Sequence, residues 1–262
     1  MNDCPWKVYN EDCLDTLEFM LDASVDLTVT SPPYDNLRTY NGYCFNFEEV
    51  ARELYRVTKT GGVVVWNVGD AVVDGSETGT SFRQALYFKE IGFRLHDTMI
   101  WRKTDFKPKT HNRYEQEFEF MFILSKGKPS KFNGIRDKKN KHAGHVMTGT
   151  VREADGTTRA MSGAQSKVIA EFGLRGNVWD IQPVKGGNGH PAPFPEVLAR
   201  DHIISWSDHG DLVFDPFTGS GTTGKVAREL GRRFIGADIS KDYAEMARRR
   251  IAESVAANDE EL

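Results

Sequence analysis

Apolar residues recur at helical spacing in "CLDTLEFML" (13–21), then run together in "SVDLTVT" (24–30), a length and β-branched content that predict a short buried strand. "NFEEVARELYRVTK" (46–59) returns to helical spacing with Asn46 placed to cap its start, and the glycines of "TGGVVVWNVGD" open another strand. Helix over "SFRQALYFKEIG" (81–92), strand over "FRLHDTMIW" (93–101) and an alternating strand over "EFEFMFILSK" (117–126) follow. The rhythm is lost from 127 to about 178, where Gly, Lys, Thr and Ser dominate. It returns with "PFPEVLARDHIISWS", a helix beginning near a proline, then "DLVFD", "GTTGKVAREL" and "RRFIGADIS".

Strand and helix alternating over most of the length predict an α/β fold, Rossmann-like: a mostly parallel twisted sheet with helices on both faces. The 127–178 stretch is too long for an ordinary connection and reads as an insert. The chain therefore divides into 1–126, the insert 127–178, and 179–262. The acidic tail "ESVAANDEEL" is expected to fray.

Composition narrows the class. At 262 residues one α/β domain is sufficient. Cys4, Cys13 and Cys44 form no close pair and no His-rich spacing, so neither a disulfide framework nor a metal site is indicated. No apolar run approaches a membrane span and the N-terminus does not read as a signal peptide, so a soluble cytoplasmic protein is expected. The net charge of −4 argues against a nucleic-acid partner until it is mapped. Between Arg102 and Lys141 stand 12 Lys/Arg against 5 Asp/Glu, leaving −11 for the rest, and "KGKPSKFNGIRDKKNKH" (126–142) is the densest part. That polarity suits either a solvated face or a surface that meets phosphates.

Two stretches carry candidate chemistry. In "DLTVTSPPYDNLRTY" (26–40) a buried strand ends on a hydroxyl, two prolines and a tyrosine. The prolines fix φ and remove backbone donors. The elbow is either a stiff strand exit or a small cup, with Ser31 and a carbonyl as acceptors and Tyr34 as a flat face. In "LVFDPFTGSGTTGKVARELGRRFIGADIS" a strand ends at Asp215, a Gly-rich turn leads into a helix near Thr222, and a second strand ends at Asp238. Gly219, Gly221 and Gly224 spell G-x-G-x-x-G, in which glycines permit close backbone approach and an acid about 20 residues on can grip ribose hydroxyls. Alone, the match is weak, and a tight strand–helix turn is the alternative.

Together, "TSPPY" and, much later, "DPFTGSGTT" resemble the S-adenosylmethionine-dependent amino-methyltransferases of DNA, in the permuted β-class order. The resemblance covers nearly all of the chain, with "LYRVTKTGGVVVWNVGD", "EFEFMFILSKGK" and "NGHPAPFPEVL" similar to the intervening segments. It implies a circularly permuted methyltransferase fold with a target-recognition region at the insert. It also implies that Asp215, Phe217, Gly219, Ser220, Gly221 and Thr222 wrap S-adenosylmethionine while Asp238, where the family more often has Glu, holds its ribose. Asp12 and Cys13 match the segment that meets the adenine ring, and His190, Pro191 and Ala192 the segment near the methionine carboxylate. Ser31, Pro32, Pro33 and Tyr34 become the catalytic pocket. Lys126, Lys128, Lys131, Arg136, Lys138, Lys139 and Lys141 become candidates for contact with double-stranded DNA. A homodimer and a cognate restriction endonuclease are left open as partners.

The implied chemistry explains the elbow. An exocyclic amine is a poor nucleophile because its lone pair is delocalised into the ring. Acceptors around its hydrogens, Ser31 Oγ and the Pro32 carbonyl, would aim that lone pair at the methyl donor, and Tyr34 would stack on a flipped base. Ring-carbon methylation needs a cysteine nucleophile, typically after proline in that chemistry, and there is no Pro-Cys dipeptide. Ser before Pro-Pro-Tyr usually accompanies cytosine N4 methylation in the family, and Asp or Asn adenine N6, with Asp35 a further acceptor. The expected activity is cytosine N4 methylation, with adenine N6 as the alternative. A protein or small-molecule methyltransferase, an RNA methyltransferase and a non-catalytic DNA-binding regulator are the rival readings. For the enzyme, strands 25–30 and 211–215 must be neighbours with their carboxyl ends facing one cleft.

Overall fold

The computed structural model describes residues 5–33, 46–105, 113–147, 150–160, 167–184 and 194–254. The chain opens with β1 (Trp6–Tyr9), α1 (Cys13–Phe19), β2 (Val25–Thr30), α2 (Phe47–Val57) and β3 (Thr58–Val68). A small hairpin of β4 (Val72–Val73) and β5 (Ser76–Glu77) precedes α3 (Thr80–Glu90), β6 (Arg94–Lys103) and β7 (Phe118–Ser125). Four short strands follow: β8 (Lys138–Lys139), β9 (Thr150–Arg152), β10 (Thr158–Ala160) and β11 (Phe172–Gly173). The chain closes with β12 (Val178–Ile181), α4 (Glu196–Trp206), β13 (Leu212–Asp215), α5 (Thr222–Glu229), β14 (Arg233–Ala237) and α6 (Lys241–Glu253).

Local chemistry sets the helix starts. Asp12 accepts the Leu14 amide at 2.9 Å and caps α1. Asn46 Oδ1 accepts the Glu49 backbone amide at 3.4 Å, satisfying a donor the helix leaves open, while its side-chain Nδ2 donates to the Glu49 carboxylate at 3.0 Å. Pro195 precedes α4, where a missing N–H costs nothing.

Among the described residues the main sheet has eight strands in the order β1-β14-β13-β2-β3-β7-β6-β12. Only β7 runs against its neighbours; the other pairings are parallel. As expected from the sequence, β2 and β13 are neighbours, though their ladder holds just two pairs, Val213 with Leu27 and Phe214 with Thr28. Parallel strands buried on both faces read as continuous apolar runs, which is why β2 and β3 lack alternation.

Each face carries its own core. One packs Leu198, Ala199, Ile203 and Trp206 of α4, Val226 and Ala227 of α5, and Ala244, Ala247 and Ile251 of α6 against Leu27, Val29, Val63, Val65 and Val213. The other packs Leu17 of α1, Val50, Ala51 and Leu54 of α2, and Ala85 and Phe88 of α3 against Val64, Trp66, Phe122 and Phe214. Trp66 is fully buried, and its indole N–H donates to Gln84 at 2.8 Å, so the polar edge of this large ring is satisfied inside the core.

The chain divides into two units, one of residues 1–133 with 177–262, the other of residues 134–176. The second unit lies within the expected insert, 127–178. Residues 127–133 belong to the main unit because Ser130 donates its amide to Gly61 at 2.9 Å and Asn133 donates to the Ile204, Ser207 and Asp208 oxygens. The second unit contains two antiparallel pairs, β8 with β11 and β9 with β10, and an ion pair between Arg175 and Asp137. No helix of the described residues is long and apolar enough to cross a membrane.

Candidate active site

The carboxyl ends of β1, β14, β13, β2 and β3 lie side by side, and the chemistry-bearing residues sit on the loops that leave them. At β2, Ser31 and Pro33 are half-buried and Pro32 is buried. Immediately before them, the buried Thr30 hydroxyl donates to Asp215 Oδ1 at 2.7 Å, joining residues 185 apart in the chain. The elbow and the Gly-rich loop are therefore in one place.

The Asp215 carboxylate is buried and hydrogen-bonded within the fold. Besides Thr30, the Phe217 amide donates to it at 3.1 Å, and the Thr223 hydroxyl lies nearby. Burial pushes its pKa up to about 6 against the pull of these donors.

Asp238, at the end of β14, points into the loop. Its Oδ2 accepts the Gly219 amide at 2.8 Å and its Oδ1 the Ser240 amide at 2.9 Å. Burial raises its pKa. Asn10, beyond β1, donates to the Asp238 and Ile239 carbonyls at 3.0 Å each, and Asp12 follows two residues later at its helix cap. Cys13 is different: its side chain lies in the core beside Leu17, and burial, with Asp12 next to it, raises the thiol well above its usual range. Its side chain is a packing group.

Two members of the Gly-rich loop also serve packing. A Cβ on Gly221, whose φ is +82°, would stand 2.7 Å from Ala247 Cα, so this glycine lets α6 approach α5. The hydroxyls of Ser220 and Thr222 both meet Arg250, at 2.8 and 3.4 Å, and Arg250 also holds the Ser220 carbonyl and pairs with Glu196. Phe217 stays half-buried, edge-on to Trp66 at 6.3 Å.

The basic candidates separate. Lys126 donates to the Tyr55 carbonyl at 2.6 Å, and Lys131 pairs with Asp211. Both anchor the amino ends of the parallel strands, the end away from Ser31, and exposed Lys128 lies between them in the chain. Arg136, Lys138, Lys139 and Lys141 lie on the second unit, all four exposed. Arg102 and Lys103 pair with Asp180 and Glu119, so part of the charge excess read from the sequence is neutralised internally. Tyr34, Asp35, His190, Pro191 and Ala192 lie outside the described residues.

Sequence reasoning missed three features. Thr30 was signalled only by its place before Ser31. Arg250 left no local signal, being one of three consecutive arginines on α6. The third is a polar chain in which Asn67 donates to Glu119 at 2.8 Å and Glu119 pairs with Lys103 at 2.6 Å. Thr30 pairs with Trp66 in the β2–β3 ladder, so Asn67 and Ser31 each follow immediately on that pair.

These strand ends fit the S-adenosylmethionine that the resemblance implies. A carboxylate offers about four acceptor positions, and Asp238 uses two of them on backbone amides, leaving acceptor capacity for vicinal ribose hydroxyls. A half-buried aromatic ring, Phe217, and a glycine with φ of +52°, Gly219, lie on the same loop.

Comparison with known proteins agrees with this geometry. A family profile described as DNA methylase matches residues 25–249. The orphan methyltransferase M.BamHII of Bacillus amyloliquefaciens is 54% identical over 244 residues, covering 88% of this chain and 89% of its own. The type II methyltransferase M.SmaI of Serratia marcescens is 27% identical, covering 88% and 86%. Among solved structures, a Thermus thermophilus protein complexed with S-adenosyl-L-methionine is 27% identical with a TM-score of 0.64, covering 94% of this chain and 93% of its own. The PvuII DNA methyltransferase, described as cytosine-N4-specific, shares the fold at 22% identity with a TM-score of 0.69, covering 94% and 86%. Matched from β2 into α6, with the elbow first and the Gly-rich loop last, the chain belongs to the N6/N4 DNA methylase family.

Proposed function

We propose that this enzyme, an S-adenosylmethionine-dependent DNA methyltransferase by family, methylates the exocyclic amine of a flipped base in duplex DNA, cytosine N4 in preference to adenine N6. The observation that carries the reading is the placement of the Ser31–Pro33 elbow against the Gly-rich loop, through Thr30 and Asp215.

When bound, S-adenosylmethionine supplies an electrophilic methyl on a sulfonium. Asp238 would hold its ribose, and Asp12 and Phe217 would flank its adenine. Ser31 Oγ and the Pro32 carbonyl accept from the two amine hydrogens, which favours a pyramidal nitrogen and aims its lone pair. The flanking prolines hold that carbonyl in position, so the acceptors need no reorganisation as charge develops. Once the nitrogen carries the methyl it is acidic and gives its proton to Ser31 or water. Tyr34 would stack on the extruded base, whose unstacking costs a few kcal/mol. Arg136, Lys138, Lys139 and Lys141 would meet phosphates around the target. Serine before Pro-Pro-Tyr favours cytosine.

The test is transfer of tritiated methyl from S-adenosylmethionine to unmethylated phage DNA, followed by digestion to nucleosides and mass identification. N4-methylcytosine is expected. N6-methyladenine overturns the choice of base, and label entering RNA but not DNA overturns the substrate.

A further inference from the structure

The two functional loops must be held at fixed separation, because methyl transfer needs the reacting atoms near contact and in line. Backbone pairing does not do this. The β2–β13 ladder ends at Phe214 and Thr28, before either loop begins. Beyond that pair, Val29, Thr30 and Ser31 on one strand and Asp215 on the other have no ladder between them. What bridges them is a side-chain bond, Thr30 Oγ1 to Asp215 Oδ1 at 2.7 Å, with Thr30 fully buried and Asp215 only 4% exposed. The same Asp215 oxygen accepts the Phe217 amide, so the bond reaches the start of the cofactor loop. A second, longer bond from Thr223 to the Val29 carbonyl, 3.3 Å, ties the first turn of α5 to the same strand.

We infer that Thr30 is a positioning residue for methyl transfer: its hydroxyl latches the base pocket onto the cofactor loop at the point where the sheet stops doing so. The inference rests on the proposed reaction. A threonine here only to fill space would be replaced without loss by valine, which has its shape. One needed for its hydroxyl is replaced by serine instead.

Thr30→Val and Thr30→Ser are compared with the wild type in three measurements: initial methyl transfer to unmethylated phage DNA, S-adenosylmethionine affinity by calorimetry, and hydrogen exchange of the ligand-free protein. Thr30→Val is expected to lower kcat about 10–100-fold while the cofactor Kd stays within about threefold, the signature of lost alignment with binding kept. Exchange in residues 214–220 should rise in Thr30→Val and not in Thr30→Ser, and Thr30→Ser should recover most of the rate. A Thr30→Val enzyme with wild-type kcat and exchange overturns the inference. So does a Thr30→Ser enzyme as slow as Thr30→Val, which would show that the hydroxyl alone does not hold the alignment. A wild-type protein that transfers no methyl to DNA fails the underlying reaction instead, and is told apart because the exchange difference does not depend on turnover.

Discussion

Asp238 Oδ2 accepts the amide N–H of Gly219 at 2.8 Å, closing the Gly-rich loop onto the end of the next strand. One carboxylate thus shapes the loop and keeps acceptor positions for a diol. Asp238→Ala removes both functions, and loss of a charge-assisted bond should weaken S-adenosylmethionine binding by about 1.5–3 kcal/mol, read by calorimetry. Asp238→Asn keeps an acceptor and should fall between. Equal affinity in all three proteins would remove Asp238 from the cofactor site.

Asp215 gives the pH dependence an unusual sign. Its pKa in the fold is about 6, raised by burial, against about 3.9 for an unfolded Asp. Between those values the folded state holds a proton that the unfolded state releases. The residue's contribution to stability is therefore greatest at low pH and declines as pH rises from about 4 through about 6. Asp137, held low by its hydrogen bond from Arg175, works in the other direction, so the bulk curve mixes the two. Comparing wild type with Asp215→Asn by urea unfolding at pH 4.5 and pH 7.5 isolates the Asp215 contribution. The stability difference between them should shift by on the order of 2–3 kcal/mol in favour of the variant at the higher pH. A pH-independent difference would mean that Asp215 titrates in the ordinary range.

The two groups of lysines should behave oppositely. Each phosphate neutralised contributes about −0.9 to the slope of log K against log salt. Replacing Lys138, Lys139 and Lys141 together by glutamine should flatten that slope by about 2–3 and leave cofactor affinity unchanged. Lys131→Gln, which loses the pair with Asp211, should cost stability and leave the slope alone. If Lys131→Gln changes the slope and the triple variant does not, the DNA surface has been placed on the wrong residues.

Most of the sheet could be read from the chain because its strands are continuous apolar runs bounded by Gly and Pro, and because Asn46 and Pro195 announce their helices. The site was legible as far as backbone chemistry dictates it: two prolines after a buried strand, and glycines between a strand and a helix. What stayed hidden depends on partners far apart in sequence. The bond of Asp215 to Thr30 and the approach of Ala247 to Gly221 leave no local trace in the sequence. Charge counts likewise do not register that Lys126 and Lys131 meet a carbonyl and an aspartate 71 and 80 residues away. Side-chain pairing across a parallel sheet has no periodicity to betray it.

Ser31→Ala tests the chemistry most directly. The hydroxyl is one of two acceptors proposed to aim the amine lone pair, the other being the Pro32 carbonyl, which no side-chain change removes. Losing one preorganised polar contact should lower turnover by roughly 10–1000-fold. Cofactor binding should survive, and DNA binding largely so, since phosphate contacts carry most of it and Ser31 meets only the flipped base. Ser31→Asp separates geometry from chemistry: it restores an acceptor, longer by one atom, of the kind usual in adenine enzymes. A two-ring base presents its amine differently from a one-ring base, so a pocket shaped for cytosine should leave Ser31→Asp slow on either. A Ser31→Asp enzyme that keeps wild-type turnover and yields N6-methyladenine would show that the pocket accepts both rings, and that serine alone selects cytosine. Ser31→Ala with undiminished turnover would leave the Pro32 carbonyl sufficient and take Ser31 out of the catalytic set.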